Sequence, residues 1–168
     1  MGWFSKGDRR EPDSAAAPAA DGAADGMPDD DALPGRPRWR ALSEEQRAAL
    51  DTDLAALRAA DVDVTDLPAL GSALDAAMDG WYAVKERDRE DYAVVTHRWG
   101  VGLGAFLESA TDLRWGMVTD VYGTDLGLMG SEDDMVIVPQ NLVSARWLNH
   151  QTGWVPGVLG HIVRLRTR

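Results

Sequence analysis

The stretch from residue 100 to residue 105 has the spacing of a dinucleotide-binding turn. It reads Gly-Val-Gly-Leu-Gly-Ala and matches the pattern G-x-G-x-x-A. In such a turn the glycines admit a pyrophosphate to the N-terminus of a helix, and an acidic residue about 20 positions later binds the ribose. Asp120 stands at that spacing. One hypothesis is therefore a small nucleotide-binding enzyme whose nucleotide contacts Gly100, Gly102, Ala105 and Asp120.

The same stretch also fits the middle of a helix, and this interpretation is favoured. Large apolar side chains recur at helical spacing over residues 92–110, at Tyr92, Val95, Trp99, Leu103 and Phe106. Gly100 and Gly104 then lie one turn apart, where they let another backbone approach at a cost of about 1 kcal/mol each in helix propensity. The dinucleotide interpretation also lacks a second strand-helix-strand half after the turn.

A second group of candidate binding residues surrounds a later turn. Asp120 and Asp125 flank this turn, Tyr122 lies within it, and Arg114 precedes it in a predicted strand. Arg146 follows on a predicted helix, where a structural role is favoured, with its guanidinium paired to Asp120 or Asp125. The alternative is that Arg146 recognises an anion in a cleft between strand and helix. These five residues form the predicted binding site.

Several kinds of catalysis lack the residues that they need. The chain has no cysteine, which excludes thiolate nucleophiles and cysteine-bound zinc. His97, His150 and His161 are not spaced as metal ligands, and neither a G-x-S-x-G motif nor a P-loop lysine occurs. Under the favoured interpretation we predict no catalytic residue, no metal and no cofactor.

Charge narrows the choice of partner. Lysine and arginine number 17 against 28 aspartates and glutamates, a net charge of -11. Such a chain repels phosphate backbones, so we expect no nucleic-acid partner, whereas a basic protein would be attracted. No apolar run approaches the roughly 20 residues that a membrane-spanning helix needs. We therefore expect a cytoplasmic protein without a membrane partner, and the oligomeric state is left open.

Composition divides the chain into a leader and one domain. Between residues 11 and 37, 22 of 27 positions are Ala, Asp, Pro or Gly, too few apolar groups to offset the entropy of ordering. We predict a disordered leader over residues 1–38 and a single domain over 39–168. Trp39 is the aromatic that would pin the end of the leader to the domain.

Local patterns predict the elements of that domain. Ser43 and Gln46 form a capping box at the start of a helix that ends near residue 60. A second helix carries the apolar stripe Leu67, Leu70, Leu74, Met78 and Trp81. Three short strands follow between residues 113 and 138, and Pro139 and Pro156 open two further helices. The predicted fold is α+β, with helices packed on a small antiparallel β-meander.

The second half of the chain resembles a known family. The resemblance rests on Arg114-Trp115, Asp120 with Tyr122-Gly123, Pro139, Val143 and Arg146, preceded by a glycine-containing helix. These residues resemble a family of bacterial domains of unknown function, numbered thirty-eight-oh-six in its series, over about residues 67–165. The resemblance implies an α+β domain of bacterial origin. It brings no known activity, so no catalytic role is carried onto any residue.

The function expected from these observations is a non-catalytic protein-interaction module whose acidic surface meets a basic partner. The nucleotide-binding enzyme is the alternative. An acidic chain attracts cationic surfaces, and the residues present assemble no known catalytic motif.

Overall fold

The computed structural model describes residues 37–131 and 135–167. The predicted leader lies outside these residues up to position 36, and its boundary with the domain stays a prediction. The described residues belong to one compact unit.

Five helices and a four-stranded antiparallel sheet make up the described part of the chain, which confirms the α+β prediction. The elements in chain order are β1 (Arg38–Ala41), α1 (Glu44–Ala59), α2 (Leu67–Ala83), α3 (Tyr92–Ala110), β2 (Arg114–Asp120), β3 (Gly123–Met129), β4 (Val136–Ile137), α4 (Pro139–Leu148) and α5 (Val155–Arg166). A single 3-10 turn, Glu86–Asp88, joins α2 to α3.

The helices begin where the sequence signals predict. The Ser43 hydroxyl accepts the Gln46 backbone N–H at 3.2 Å, and the Ser43 N–H donates to the Gln46 side chain at 3.0 Å, so the capping box is complete. The Asp66 carboxylate accepts the Ala69 N–H at 2.8 Å and caps α2. Capping side chains satisfy backbone donors that have no partner inside the helix.

The sheet has one strand more than predicted. Its order is β1-β2-β3-β4, and β1 pairs with β2 from Arg38 opposite Thr119 to Ala41 opposite Gly116. A Cβ placed on Gly116 would lie 2.0 Å from Trp39 Nε1. The Trp39 indole therefore occupies the space that a side chain at position 116 would fill. β1 was not predicted because its local sequence has no strand pattern. It forms by pairing with residues of β2 that lie more than 70 positions away along the chain.

The glycine-rich stretch lies within α3, so the helix interpretation is confirmed and the dinucleotide-binding turn is wrong. No strand forms at residues 92–96, which are the first turns of α3. A Cβ on Gly100 would lie 2.7 Å from the Gln140 Cα, and one on Gly102 would lie 2.8 Å from Leu57 Cδ1. The glycines therefore serve close packing of α3 against α4 and α1. They present no helix N-terminus to a pyrophosphate, and Gly100, Gly102, Ala105 and Asp120 form no nucleotide site.

Asp112 joins three distant parts of the fold. It precedes β2, and its carboxylate accepts the Ser131 N–H at 3.0 Å and the Ser131 hydroxyl at 2.6 Å. It also accepts hydrogen bonds from Arg166 in the last turn of α5, at 2.7 Å from Nε and at a shorter distance from Nη2. The Arg166 guanidinium, followed by the Ser131 hydroxyl and N–H, holds the pKa of Asp112 well below its usual range.

This junction predicts a pH-dependent stability. Asp112→Asn is expected to lower the free energy of unfolding by about 1–2 kcal/mol at neutral pH, because charge-assisted hydrogen bonds are lost. Since the folded-state pKa is lowered, the stabilisation is complete above about pH 5, begins to fall near the unfolded-state pKa of about 3.9, and is lost only as pH falls through the lowered folded-state pKa. Urea unfolding at about pH 7 and pH 3 should show the difference between wild type and variant shrinking at the lower pH.

Asp51→Asn provides the matched control, because it makes the same charge change at an exposed carboxylate of α1. The Asp51 side chain makes no hydrogen bond or ion pair with the rest of the described chain. Its effect should stay within about 0.5 kcal/mol at either pH. Equal destabilisation by both variants would contradict the role of the Asp112 junction.

Candidate functional site

The turn between β2 and β3 presents the most exposed large hydrophobic side chains among the described residues. Tyr122 is 93% exposed and Val121 is 73% exposed. β2 and β3 pair from Arg114 opposite Met129 to Asp120 opposite Gly123, so both side chains lie at the tip of a regular hairpin. We call Asp120 to Asp125 the hairpin tip.

Local hydrogen bonds constrain the backbone of the hairpin tip. Asp120 Oδ1 accepts the Tyr122 N–H at 2.7 Å and the Gly123 N–H at 3.2 Å. Gly123 has a φ of +146°, which only glycine adopts without strain. The hydroxyls of Thr119 and Thr124 lie 2.8 Å apart across the strands. The tip therefore holds Tyr122 in solvent on a fixed backbone.

Three of the five predicted binding residues meet at the hairpin tip, namely Asp120, Tyr122 and Asp125. Arg114 lies at the other end of β2, where its Nη1 donates to the Thr111 carbonyl at 3.2 Å and to the Leu113 carbonyl at 2.8 Å. It therefore contacts the chain just after the negative end of α3, where a cation is favourable.

Arg146 has a different partner from the predicted one. Its guanidinium lies 4.4 Å from the centre of the Trp154 ring, and Nη1 donates to the Leu142 carbonyl at 3.0 Å. Among the described residues, Arg146 pairs with neither Asp120 nor Asp125. The stacking joins α4 to the start of α5, which agrees with a structural role; its predicted binding role stays a prediction. Sequence spacing could not show this contact, because it depends on the turn between α4 and α5.

Val121 is the exposed residue that sequence reasoning missed. The available signal was two consecutive large apolar residues, Val121 and Tyr122, inside a turn bounded by Asp120 and Gly123. Turn positions normally carry small or polar residues. Two large side chains at such positions indicate a surface that contacts another molecule.

Two histidines pair with carboxylates from other helices. His97 Nε2 lies 3.4 Å from Asp53 Oδ2, and its Nδ1 lies 3.2 Å from Gln140 Oε1. His150 Nε2 lies 2.7 Å from Asp79 Oδ1. Neither ring contacts a hydroxyl nucleophile in the part of the chain that the structure describes.

The described residues show neither a metal-type cluster nor a membrane span. Within residues 37–131 and 135–167, no three His, Cys, Asp or Glu side chains are grouped so as to hold a metal ion. No helix in these ranges combines the length and the apolar character needed to cross a membrane.

A known family model matches the central part of this architecture. Residues 76–157 match the family model described as Domain of unknown function (DUF3806). The matched span runs from the second half of α2 to the start of α5, so it includes α3, the β2–β3 hairpin and α4. Neither a search of curated proteins nor a search of solved structures finds a match. This match confirms the resemblance to the DUF3806 family over residues 76–157, which are just under half of the chain.

Proposed function

We propose that this protein is a non-catalytic interaction module that binds a basic protein through its hairpin tip. The observation that carries the proposal is the exposure of Tyr122, at 93%, beside Val121, at 73%. Neither side chain packs into the core, so neither has a structural reason to be apolar.

The residue types at the tip suit protein recognition. Tyrosine is enriched at the energetic centres of protein interfaces, because a large ring buries much area with few rotatable bonds. The hydrogen bonds that Asp120 accepts from the Tyr122 and Gly123 N–H groups already constrain the turn, so less backbone entropy is lost on binding.

Charge supports a basic partner. Asp120 and Asp125 lie beside Tyr122, and the whole chain carries a net charge of -11. A field of this sign speeds encounters with cationic surfaces and opposes nucleic acids and anionic lipids. We place the module in the cytoplasm as part of the same proposal.

Tyr122→Ala is expected to reduce partner binding by about tenfold or more, because truncation of an aromatic anchor costs about 2 kcal/mol. The measurement is affinity capture from native lysate with the full chain, quantified by mass spectrometry. Leu148→Ala is the matched control, since it removes a 68% exposed apolar side chain at the end of α4. It should capture the same proteins as the wild type.

Asp125→Asn tests the charge part of the proposal. The Asp125 side chain makes no hydrogen bond or ion pair with other described residues, so its loss should leave the fold intact. We expect weaker capture at low salt and a smaller effect of added salt. If Tyr122→Ala captured the same proteins in the same amounts as the wild type, the hairpin tip would not be the binding surface.

A further inference from the structure

A cavity of about 380 Å³, open to solvent on one side, lies between α1, α2 and α3, beside the 3-10 turn. Its lining includes the buried side chains Leu57, Val62, Val95 and Trp99, together with the partly buried Trp81. The volume falls in the range of small-ligand pockets, which is about 300–1,000 Å³. Two indole rings and several aliphatic groups give it a mainly apolar lining.

The wall formed by Trp81 is held in place from two sides. Its Nε1 donates to the Glu90 carbonyl at 2.9 Å. The Arg89 guanidinium lies 4.5 Å from the centre of its ring, and Arg89 also donates from Nε to the Val84 carbonyl at 3.0 Å. A ligand would therefore meet a preorganised aromatic wall, which reduces the entropy lost on binding.

The charges in the lining favour one negative charge on the ligand. Its ionisable residues are Arg89, Arg98 and Glu90. Arg98 and Glu90 neutralise each other through two hydrogen bonds of 3.2 and 2.6 Å. Arg89 forms no ion pair, and its Nη1 makes no hydrogen bond to the other described residues. A guanidinium with a free N–H group can donate a hydrogen bond to a carboxylate or a sulfonate.

Gly80 keeps space open on the α2 side of the cavity. A glycine within a helix costs about 1 kcal/mol relative to alanine, and the glycines of α3 offset this by close packing. Gly80 does not, because a Cβ placed on it would meet no atom within 4 Å. It lines the cavity and is itself exposed, so a longer side chain at this position has room to extend over the cavity opening.

We propose that this cavity binds a small aromatic monoanion, with its ring system against Trp81 and Trp99 and its negative group at Arg89. The proposal is independent of the hairpin tip and adds a small-molecule site to the protein-binding one. The ligand class follows from the two indoles in the lining, from the volume and from the single excess positive charge of the lining.

Titration with 8-anilinonaphthalene-1-sulfonate, an aromatic monoanion, tests the proposal on the full chain. We expect saturable binding of one molecule, measured by its fluorescence and by quenching of tryptophan emission. The uncharged analogue N-phenyl-1-naphthylamine should bind about tenfold more weakly or worse, because it lacks the group that Arg89 recognises. Equal affinity for the two probes would overturn the proposal.

Gly80→Leu obstructs the cavity opening while improving helix propensity, so it should reduce sulfonate binding by about tenfold or more without lowering the melting temperature. Gly157→Leu is the matched control, because Gly157 also lies in a helix with no atom within 4 Å of its missing Cβ, and it lies outside the cavity. If Gly80→Leu fails to fold, Ala56→Leu narrows the cavity from α1 and gives the same readout. Absence of saturable binding to the wild type, or wild-type affinity in a folded filling variant, would refute the site.

Discussion

Replacing Gly104 by alanine is expected to lower the free energy of unfolding by about 2–3 kcal/mol. The added Cβ would lie 2.0 Å from Trp115 Cζ2 and 2.3 Å from Cη2, far inside van der Waals contact. Trp115 is 2% exposed and lies on β2 in the centre of the sheet, so its ring cannot move out into solvent. Urea unfolding followed by circular dichroism measures the loss.

Gly80→Ala is the matched control for this substitution. It makes the same chemical change in a helix where a Cβ meets nothing within 4 Å. Alanine restricts the unfolded chain and favours the helix, so we expect a gain of about 0.5–1 kcal/mol. Opposite signs of the change in unfolding free energy for the two variants would show that close packing, not backbone flexibility, requires glycine at position 104. Similar stabilisation by both would rule out the tight contact between α3 and β2.

Truncating Trp147 to alanine is expected to cost about 3–5 kcal/mol, the largest effect predicted for this protein. Trp147 is fully buried on α4, and its ring lies 6.1 Å from that of Trp81 in an edge-to-face arrangement. Small domains have a total stability of about 5–15 kcal/mol. The variant should therefore unfold at much lower urea concentration, as measured by circular dichroism.

Trp147→Phe separates shape from hydrogen bonding at this position. The Trp147 Nε1 is buried and has no hydrogen-bond partner among the described residues. Phenylalanine keeps an aromatic ring and removes the unpaired donor, so the loss should be about 1 kcal/mol. A loss as large as that of Trp147→Ala would mean that the full indole is needed to fill this buried site, so that an aromatic ring alone does not stabilise it.

Elements with strong local signals were predictable. The capping box of Ser43 and Gln46 located the start of α1, and the stripe from Leu67 to Trp81 located α2. The apolar spacing of residues 92–110 matched α3 from end to end. Pro139 and Pro156 both lie in the first turns of their helices. Each of these signals acts between residues within about four positions, so the sequence carries it directly.

The binding role of the predicted site residues stays a prediction. Asp120, Tyr122 and Asp125 lie in one hairpin because they are close in sequence. Arg146 was assigned a carboxylate partner, whereas it stacks on Trp154. The general rule that a half-buried arginine needs a partner was sound, but several partners were compatible with the sequence.

The amino-acid sequence by itself determined the helices, the hairpin and the position of its turn, because these follow from spacing, capping and turn residues. Tertiary structure alone decided that Arg38–Ala41 forms a fourth strand, that Asp112 joins α5 to the sheet loops, and that Gly80 borders a cavity. These features join residues tens of positions apart. The distances between them depend on how whole elements pack against one another in a close-packed core. No short sequence pattern specifies that packing.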